Sequence, residues 1–106
     1  MFVRKLTGRR TGRPLQFKDV YMKLKIYTDG GARGNPGPAG IGVLICDEKD
    51  EIVQEHRDTL GEATNNVAEY CALIAGLELA KALGANEIEA YLDSELLVQQ
   101  INGAYR

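Results

Sequence analysis

Between Lys23 and Gly103 the chain reads as three strands, a helix, a fourth strand and a second helix, an order that few architectures accommodate. Lys23 to Asp29 is strand-like and closes on Thr28-Asp29-Gly30. A glycine- and proline-rich loop, GGARGNPGPAG, leads into a compact apolar run from Ile41 to Cys46. Asp47 to Glu51 is a polar turn, and Ile52 to Leu60 returns as the other arm of a hairpin. Val67, Tyr70, Cys71, Ile74 and Leu77 then recur at helical spacing, and Gly84 supplies the stop. Glu87 to Asp93 is a short strand with Ile88, Ala90 and Leu92 on one side. Ser94 caps a second helix, with Leu97 and Ile101 one turn apart, ending near Gly103. The order is βββαβα, an α/β fold, with the last strand parallel to the first because a helix crosses between them.

Composition narrows the class. The 106 residues are 44% hydrophobic and 26% charged, enough for one modest core and against wholesale disorder. The longest apolar run, Ala39 to Cys46, is far below the ~18 residues of a membrane span, so no membrane partner is expected. No apolar stretch follows the basic amino terminus, so no secretory signal is read there. Cys46 and Cys71 lack C-x-x-C spacing and read as small core residues in a reducing, cytoplasmic setting.

The net charge of −2 conceals a split. Residues 1–25 carry eight basic side chains against the single acid Asp19, whereas the rest of the chain carries five basic and fourteen acidic ones. Residues 1–22 show turn signals (Thr7-Gly8, Thr11-Gly12, Arg13-Pro14) and little periodicity, and read as a basic extension on an acidic body formed by residues 23–106. Such an arm meets phosphates or stays a solvated tail; charge alone fits both.

Asp29 and Asp93 each close a strand and each precede a turn or helix start. In open α/β sheets, ligands gather outside the carboxyl ends of the strands. Two bare carboxylates ~4 Å apart repel by roughly 4 kcal/mol at an effective dielectric of 20, a cost that a hard divalent cation removes. Each aspartate taken alone reads more readily as a turn former or cap. Glu69 falls three residues after Asn66, which is capping-box spacing, so a structural role competes with a chemical one. The glycine loop contains neither G-x-G-x-x-G nor G-x-x-x-x-G-K-[ST], and a strand follows it, which disfavours nucleotide binding by those motifs. What it can do is bring backbone amides and Asn35 close to a polymer backbone. His56 has no second histidine to join it, which makes metal ligation there unfavoured.

Taken together, IYTDGGARGNPGPAGIGVLI, TNNVAEYCALIAGLELA and AYLDSELLVQQINGAYR resemble the type 1 ribonuclease H family, and most of all its compact bacterial and archaeal branch. The resemblance covers residues 24–106 and takes nothing from residues 1–22. It implies a mixed sheet of five strands flanked by helices. Four of those strands fall within this sequence, and the family's last strand and helix do not, so residues 23–106 are expected to form an incomplete amino-terminal part of the domain. It further implies that Asp29, Glu69 and Asp93, with the backbone of Gly30, bind metal. In the family two magnesium ions, for which manganese can substitute, flank the scissile phosphate in the RNA strand of an RNA–DNA hybrid. Asn35, Asn65 and the glycine loop, Gly31 and Arg33 within it, would meet ribose 2′-hydroxyls and bases in the minor groove, and Thr64 a DNA-strand phosphate. Glu95 stands where many members have glutamine, and its role stays open.

Two functions are therefore weighed from the sequence, beside a third reading as an assembly-prone structural fragment with no substrate. One is a magnesium-dependent ribonuclease H acting on RNA–DNA hybrids, weakened by the missing fourth carboxylate of the family. The other is a catalytically inactive nucleic-acid-binding module of the same fold. The strand ending at Asp93 is expected to present an uncovered edge, a template for self-association into a homo-oligomer.

Overall fold

The structure, a computed structural model, describes residues 21–92 together with the backbone of residues 4–9. The elements are β1 (Arg4–Arg9), β2 (Lys23–Ala32), β3 (Gly37–Cys46), β4 (Ile52–Ala63), α1 (Asn65–Ala82) and β5 (Glu87–Leu92). They form one mixed sheet in the order β1-β5-β2-β3-β4 with α1 packed on one face. β2, β3 and β4 make two successive antiparallel hairpins, and α1 carries the chain across to β5, which runs parallel to β2. This is the strand and helix order read from the sequence as far as Leu92. The expected second helix, from Ser94, lies outside the described residues.

The glycine loop is shorter than its composition suggests. β2 continues through Ala32 and β3 begins at Gly37, so only Arg33–Pro36 turn the corner, closed by the Arg33 amide donating to the Pro38 carbonyl at 2.8 Å. A Cβ at position 37 would overlap the Arg33 carbonyl, which is why a glycine stands there.

The core lies between α1 and one face of the sheet. Leu24 and Ile26 of β2, Val43 and Ile45 of β3, and Ala90 and Leu92 of β5 meet Leu73 and Ala80 of α1. Ile26 and Ile45 are fully buried, each worth about 1.5–3 kcal/mol of transfer free energy. The stripe that marks α1 in the sequence is not the face it buries. Its buried residues are Ala68, Ala72, Leu73, Gly76 and Ala80, while Val67, Tyr70, Ile74 and Leu77 stay exposed. Small residues four apart let the helix lie low on the sheet, and a Cβ at Gly76 would come within 3.1 Å of both Ile26 and Thr28. Large side chains on that face would hold the layers apart.

Two expectations about the amino terminus are corrected. Residues 4–9, read as part of an irregular extension, form β1, which pairs antiparallel with β5 from Arg4 opposite Leu92 to Arg9 opposite Glu87. The edge of β5 expected to stand open for self-association is therefore occupied by the chain's own strand. Pairing supplied by a distant partner overrides the local turn signals at Thr7-Gly8.

The other sheet face carries polar rows. Lys23 bridges to Glu89 at 2.6 Å and to Glu87 at 3.8 Å, and Tyr91 donates its hydroxyl to Glu89 at 2.8 Å. Tyr91 also stacks on its register neighbour Tyr27, with centroids 4.9 Å apart. Among the described residues no buried side-chain polar atom lacks a hydrogen-bond partner.

Candidate active site

The helix start decides what Glu69 can be. The N-cap is Thr64, whose hydroxyl oxygen accepts from the Val67 amide at 3.2 Å, while its carbonyl accepts from the Ala68 amide at 3.0 Å. Asn66 is thus inside the helix, and the position that completes a capping box is held by Val67 rather than by Glu69. The capping role that competed for Glu69 is removed, which leaves a half-buried carboxylate in the second turn of α1 without that structural duty.

Gly30 brings this turn to the end of β2. A Cβ at position 30 would overlap the Ala68 carbonyl and lie 2.8 Å from the Glu69 nitrogen. The helix backbone therefore rests directly on the strand, with Asp29 one residue before the contact and Glu69 beside it. Asp29 alternates with Ile26 and Thr28, so its side chain leaves the sheet on the face away from α1. There it borders a shallow concavity of about 320 Å³, lined among others by Tyr27, Leu44, Glu55 and Arg57. Leu92 is in register with Thr28, so β5 ends one residue short of the level of Asp29, while β2 runs on to Ala32. Asp93, the next residue, lies outside the described residues. Among the described residues no three His, Cys, Asp or Glu side chains form a group able to hold a metal ion.

Asn65 and Asn35 tie the hairpin tip to the helix start. The Asn65 amide donates to Asn35 Oδ1 at 3.0 Å, and Asn65 Oδ1 accepts from the Ala32 amide at 2.8 Å. Both side-chain oxygens are engaged by the protein's backbone, which fixes the amide orientation and makes each NH₂ group the outward donor. Gly31 sits under this bridge, with Asn65 Oδ1 3.9 Å from where its Cβ would be, and Arg33 stands at the tip. Thr64, one residue before Asn65, keeps its hydroxyl hydrogen free to donate while the oxygen caps the helix.

The structure thus brings Gly30 against the backbone of Ala68 and Glu69, with Asp29 one residue before that contact and its side chain on the other sheet face, and groups Gly31, Arg33, Asn35, Thr64 and Asn65 nearby. Sequence reasoning did not find the Lys23–Glu89–Tyr91 group or the Tyr27–Tyr91 stack. Their signal was present as alternation in two strands, but the parallel register that aligns Tyr27 with Tyr91 comes only with the crossover. The hydrogen bond to Glu89 raises both the Lys23 ammonium and the Tyr91 phenol above their ordinary values. His56 is half-buried in β4 opposite Val43, and both cysteines are free thiols, with burial pushing Cys46 up.

A layered mixed sheet with a carboxylate inside its first long strand, which runs past Asp29 to Ala32 rather than closing on it as expected, and another one turn into the following helix is the frame of a ribonuclease H-like domain. Residues 27–106 match the family described as reverse transcriptase-like, and the chain belongs to that family. It is 48% identical over 86 residues to a bifunctional protein of Mycobacterium tuberculosis, covering 80% of this chain and 24% of that protein. It is also 48% identical over 83 residues to ribonuclease HI of Halobacterium salinarum, covering 78% of this chain and 42% of the relative. Among solved structures it resembles LC11-RNase H1 in complex with an RNA/DNA hybrid, with a TM-score of 0.72 and 54% identity over 78% of this chain and 63% of that one. RNase H1 from Halobacterium salinarum NRC-1 superimposes with a TM-score of 0.75 and 48% identity, over 79% of this chain and 64% of that one. The chain spans less than half the length of these two curated relatives. Strand β1 precedes the matched region.

Proposed function

We propose that this chain contributes the hybrid-binding surface and most of the metal-binding carboxylates of a ribonuclease H that hydrolyses the RNA strand of RNA–DNA hybrids. The observation that carries the proposal is the contact of Gly30 with the Ala68–Glu69 backbone, which brings the strand that carries Asp29 against the helix turn that carries Glu69. The similarity to a ribonuclease H1 held with an RNA/DNA hybrid supports the same substrate.

The donor set is all oxygen and hard, which suits magnesium or manganese and not zinc. Asp29, Glu69 and the Gly30 carbonyl would hold such ions, joined by Asp93. When bound, a pair of these ions supplies an activated water and charge stabilisation at the leaving oxygen. The chain's own residues do the rest. The Asn35 and Asn65 NH₂ groups donate to acceptors in the minor groove, where the 2′-hydroxyl distinguishes RNA from DNA. The backbone of Gly31 and Arg33 lines the approach. Thr64 donates its hydroxyl to a phosphate of the DNA strand.

The deciding experiment is incubation of an end-labelled RNA–DNA hybrid with this chain, with and without magnesium. Magnesium-dependent shortening of the RNA strand that Asp29→Asn abolishes supports the proposal. A hybrid that is bound but uncut in magnesium assigns the chain to the binding-module alternative.

A further inference from the structure

Across β2, β3 and β4 the register sets Asp29 opposite Gly42 and Gly42 opposite Arg57. Residues directly opposite one another in antiparallel strands share a sheet face. Asp29 and Arg57 therefore stand in one row on the face away from α1, with only a glycine between them. The neighbouring row is Tyr27, Leu44 and Glu55. All of these residues line the concavity of about 320 Å³ that Asp29 borders, and Gly42 is its floor. A Cβ at position 42 would meet nothing nearer than the Asp29 carbonyl oxygen at 3.9 Å, so the floor is bare rather than crowded. On the far side β4 is an edge strand of the sheet, and Arg57 is exposed on it. The ion pairs of the described residues engage Lys23 and Lys25 and leave Arg57 out.

We propose that Arg57 is a phosphate-contacting residue of the nucleic-acid surface, taking a backbone phosphate of the strand that passes over Asp29 and lies in the trough floored by Gly42. The inference rests on the proposed hybrid substrate and adds to it a residue outside the three stretches that resemble the ribonuclease H family. Five basic side chains follow residue 25 against fourteen acidic ones, so a polyanion approaching Asp29 meets net repulsion. Of the five, Arg33 stands at the hairpin tip, Lys49 in the turn between β3 and β4, and Lys81 in the last turn of α1, while Arg106 lies outside the described residues. Arg57 alone shares the row of Asp29. The two residues are two interstrand spacings apart, roughly 10 Å. One strand of a duplex advances ~3.4 Å per step, so the guanidinium meets a phosphate within about three steps of one held at Asp29. Its planar fork suits two phosphate oxygens at once. Glu55, two residues along β4, lines the same trough and repels phosphate, which confines the contact to the Arg57 end.

The test is a titration of a fluorescein-labelled RNA–DNA hybrid followed by anisotropy over a range of salt, without divalent ions. Four proteins are compared: the unaltered chain, Arg57→Gln, Gly42→Leu and Lys49→Gln. Arg57→Gln removes one exposed charge and is expected to weaken binding. It should also flatten the dependence of log K on log salt by up to about 0.9, the duplex-DNA value for one phosphate no longer neutralised. Gly42→Leu keeps every charge but fills the trough, and is expected to weaken binding with the same flattening. Lys49→Gln removes an equal charge at the end of the sheet away from the hairpin tip, and is expected to leave the slope as it was. An unchanged slope in Arg57→Gln overturns the phosphate contact, and an equal loss in Lys49→Gln overturns it too, because only overall charge then matters. Unaltered binding by Gly42→Leu overturns the trough as the place of contact. Arg57 is exposed, so its variant decides the question of the contact even where Gly42→Leu does not fold. Failure of the unaltered chain to bind hybrid overturns the substrate reading and this inference with it. Binding by the unaltered chain and equally by Arg57→Gln leaves that reading standing and removes this inference alone.

Discussion

Gly30 of β2 lies against the backbone of Ala68 in α1, so closely that no side chain fits between them. This contact joins β2 to the start of a helix 38 positions later in the chain, and the two residues in contact adjoin Asp29 and Glu69 in sequence. Packing and the candidate site therefore meet at this point: whatever separates strand from helix also separates the segments that carry the two carboxylates.

The first prediction follows directly. In Gly30→Ala the added methyl overlaps main chain, which cannot swing aside as a side-chain tip can. Destabilisation of about 1–3 kcal/mol is expected, as for other overpacked sites. Urea unfolding should show a lower midpoint with an unchanged slope, and a variant as stable as the parent would contradict the close packing.

Thr64 and Glu69 should separate cap from chemistry. Thr64→Ala removes the acceptor for the Val67 amide and should cost about 1 kcal/mol. Glu69→Gln, outside the cap, should leave thermal stability level or slightly higher while divalent binding and hybrid cleavage fall. Parallel thermal melts and magnesium titrations check both, and full cleavage by Glu69→Gln would remove the residue from the site.

Asp29→Asn should weaken magnesium binding by about tenfold or more, a decade being about 1.4 kcal/mol. Its fold should hold, since Asn fits the same space without the charge. Calorimetric titration is the measurement; equal affinity in parent and variant would mean the ions are held elsewhere.

The two faces of α1 should respond oppositely. Ala72→Leu drives a large side chain into the seam between helix and sheet and should destabilise by about 1–3 kcal/mol. Ile74→Gln, at a position 51% exposed, should stay within about 0.5 kcal/mol of the parent. Denaturant midpoints of the two variants would reverse this order if the outward stripe were the core face.

Alkaline pH should weaken the sheet through Glu89. Lys23 is raised from 10.5 and Tyr91 from 10.0, in both cases first by the hydrogen bond to Glu89. Each group therefore contributes stability that is fully present below its ordinary value and lost as pH climbs through its higher folded value. The melting temperature should fall above about pH 10 more steeply in the parent than in Glu89→Gln. Identical curves would show that the group does not couple to folding.

The sequence by itself determined the order of strands and helix from Lys23 through Leu92, because period-two alternation and helical recurrence are local properties of the chain. It also singled out Asp29 and Glu69 as candidates, since a carboxylate ahead of a glycine-rich turn and another near a helix start are visible as spacing, although β2 does not close at Asp29 but runs on to Ala32. It did not settle which duty Glu69 performs, because Asn66 and Thr64 are both good caps and only the helix's true start, at Thr64, chooses between them. It pointed to the large apolar stripe of α1, while the buried face is built of alanine and glycine. How closely a helix sits on a sheet depends on side chains from β2 and β3 that no helical window contains. Residues 4–9 looked irregular because the positions that complement them, Glu87 to Leu92, lie some eighty residues away. Pairing, register and close approach are non-local, and they are what only the tertiary structure decided: where β1 goes, which tyrosines stack, and that Gly30 is the point at which β2 meets the backbone of α1.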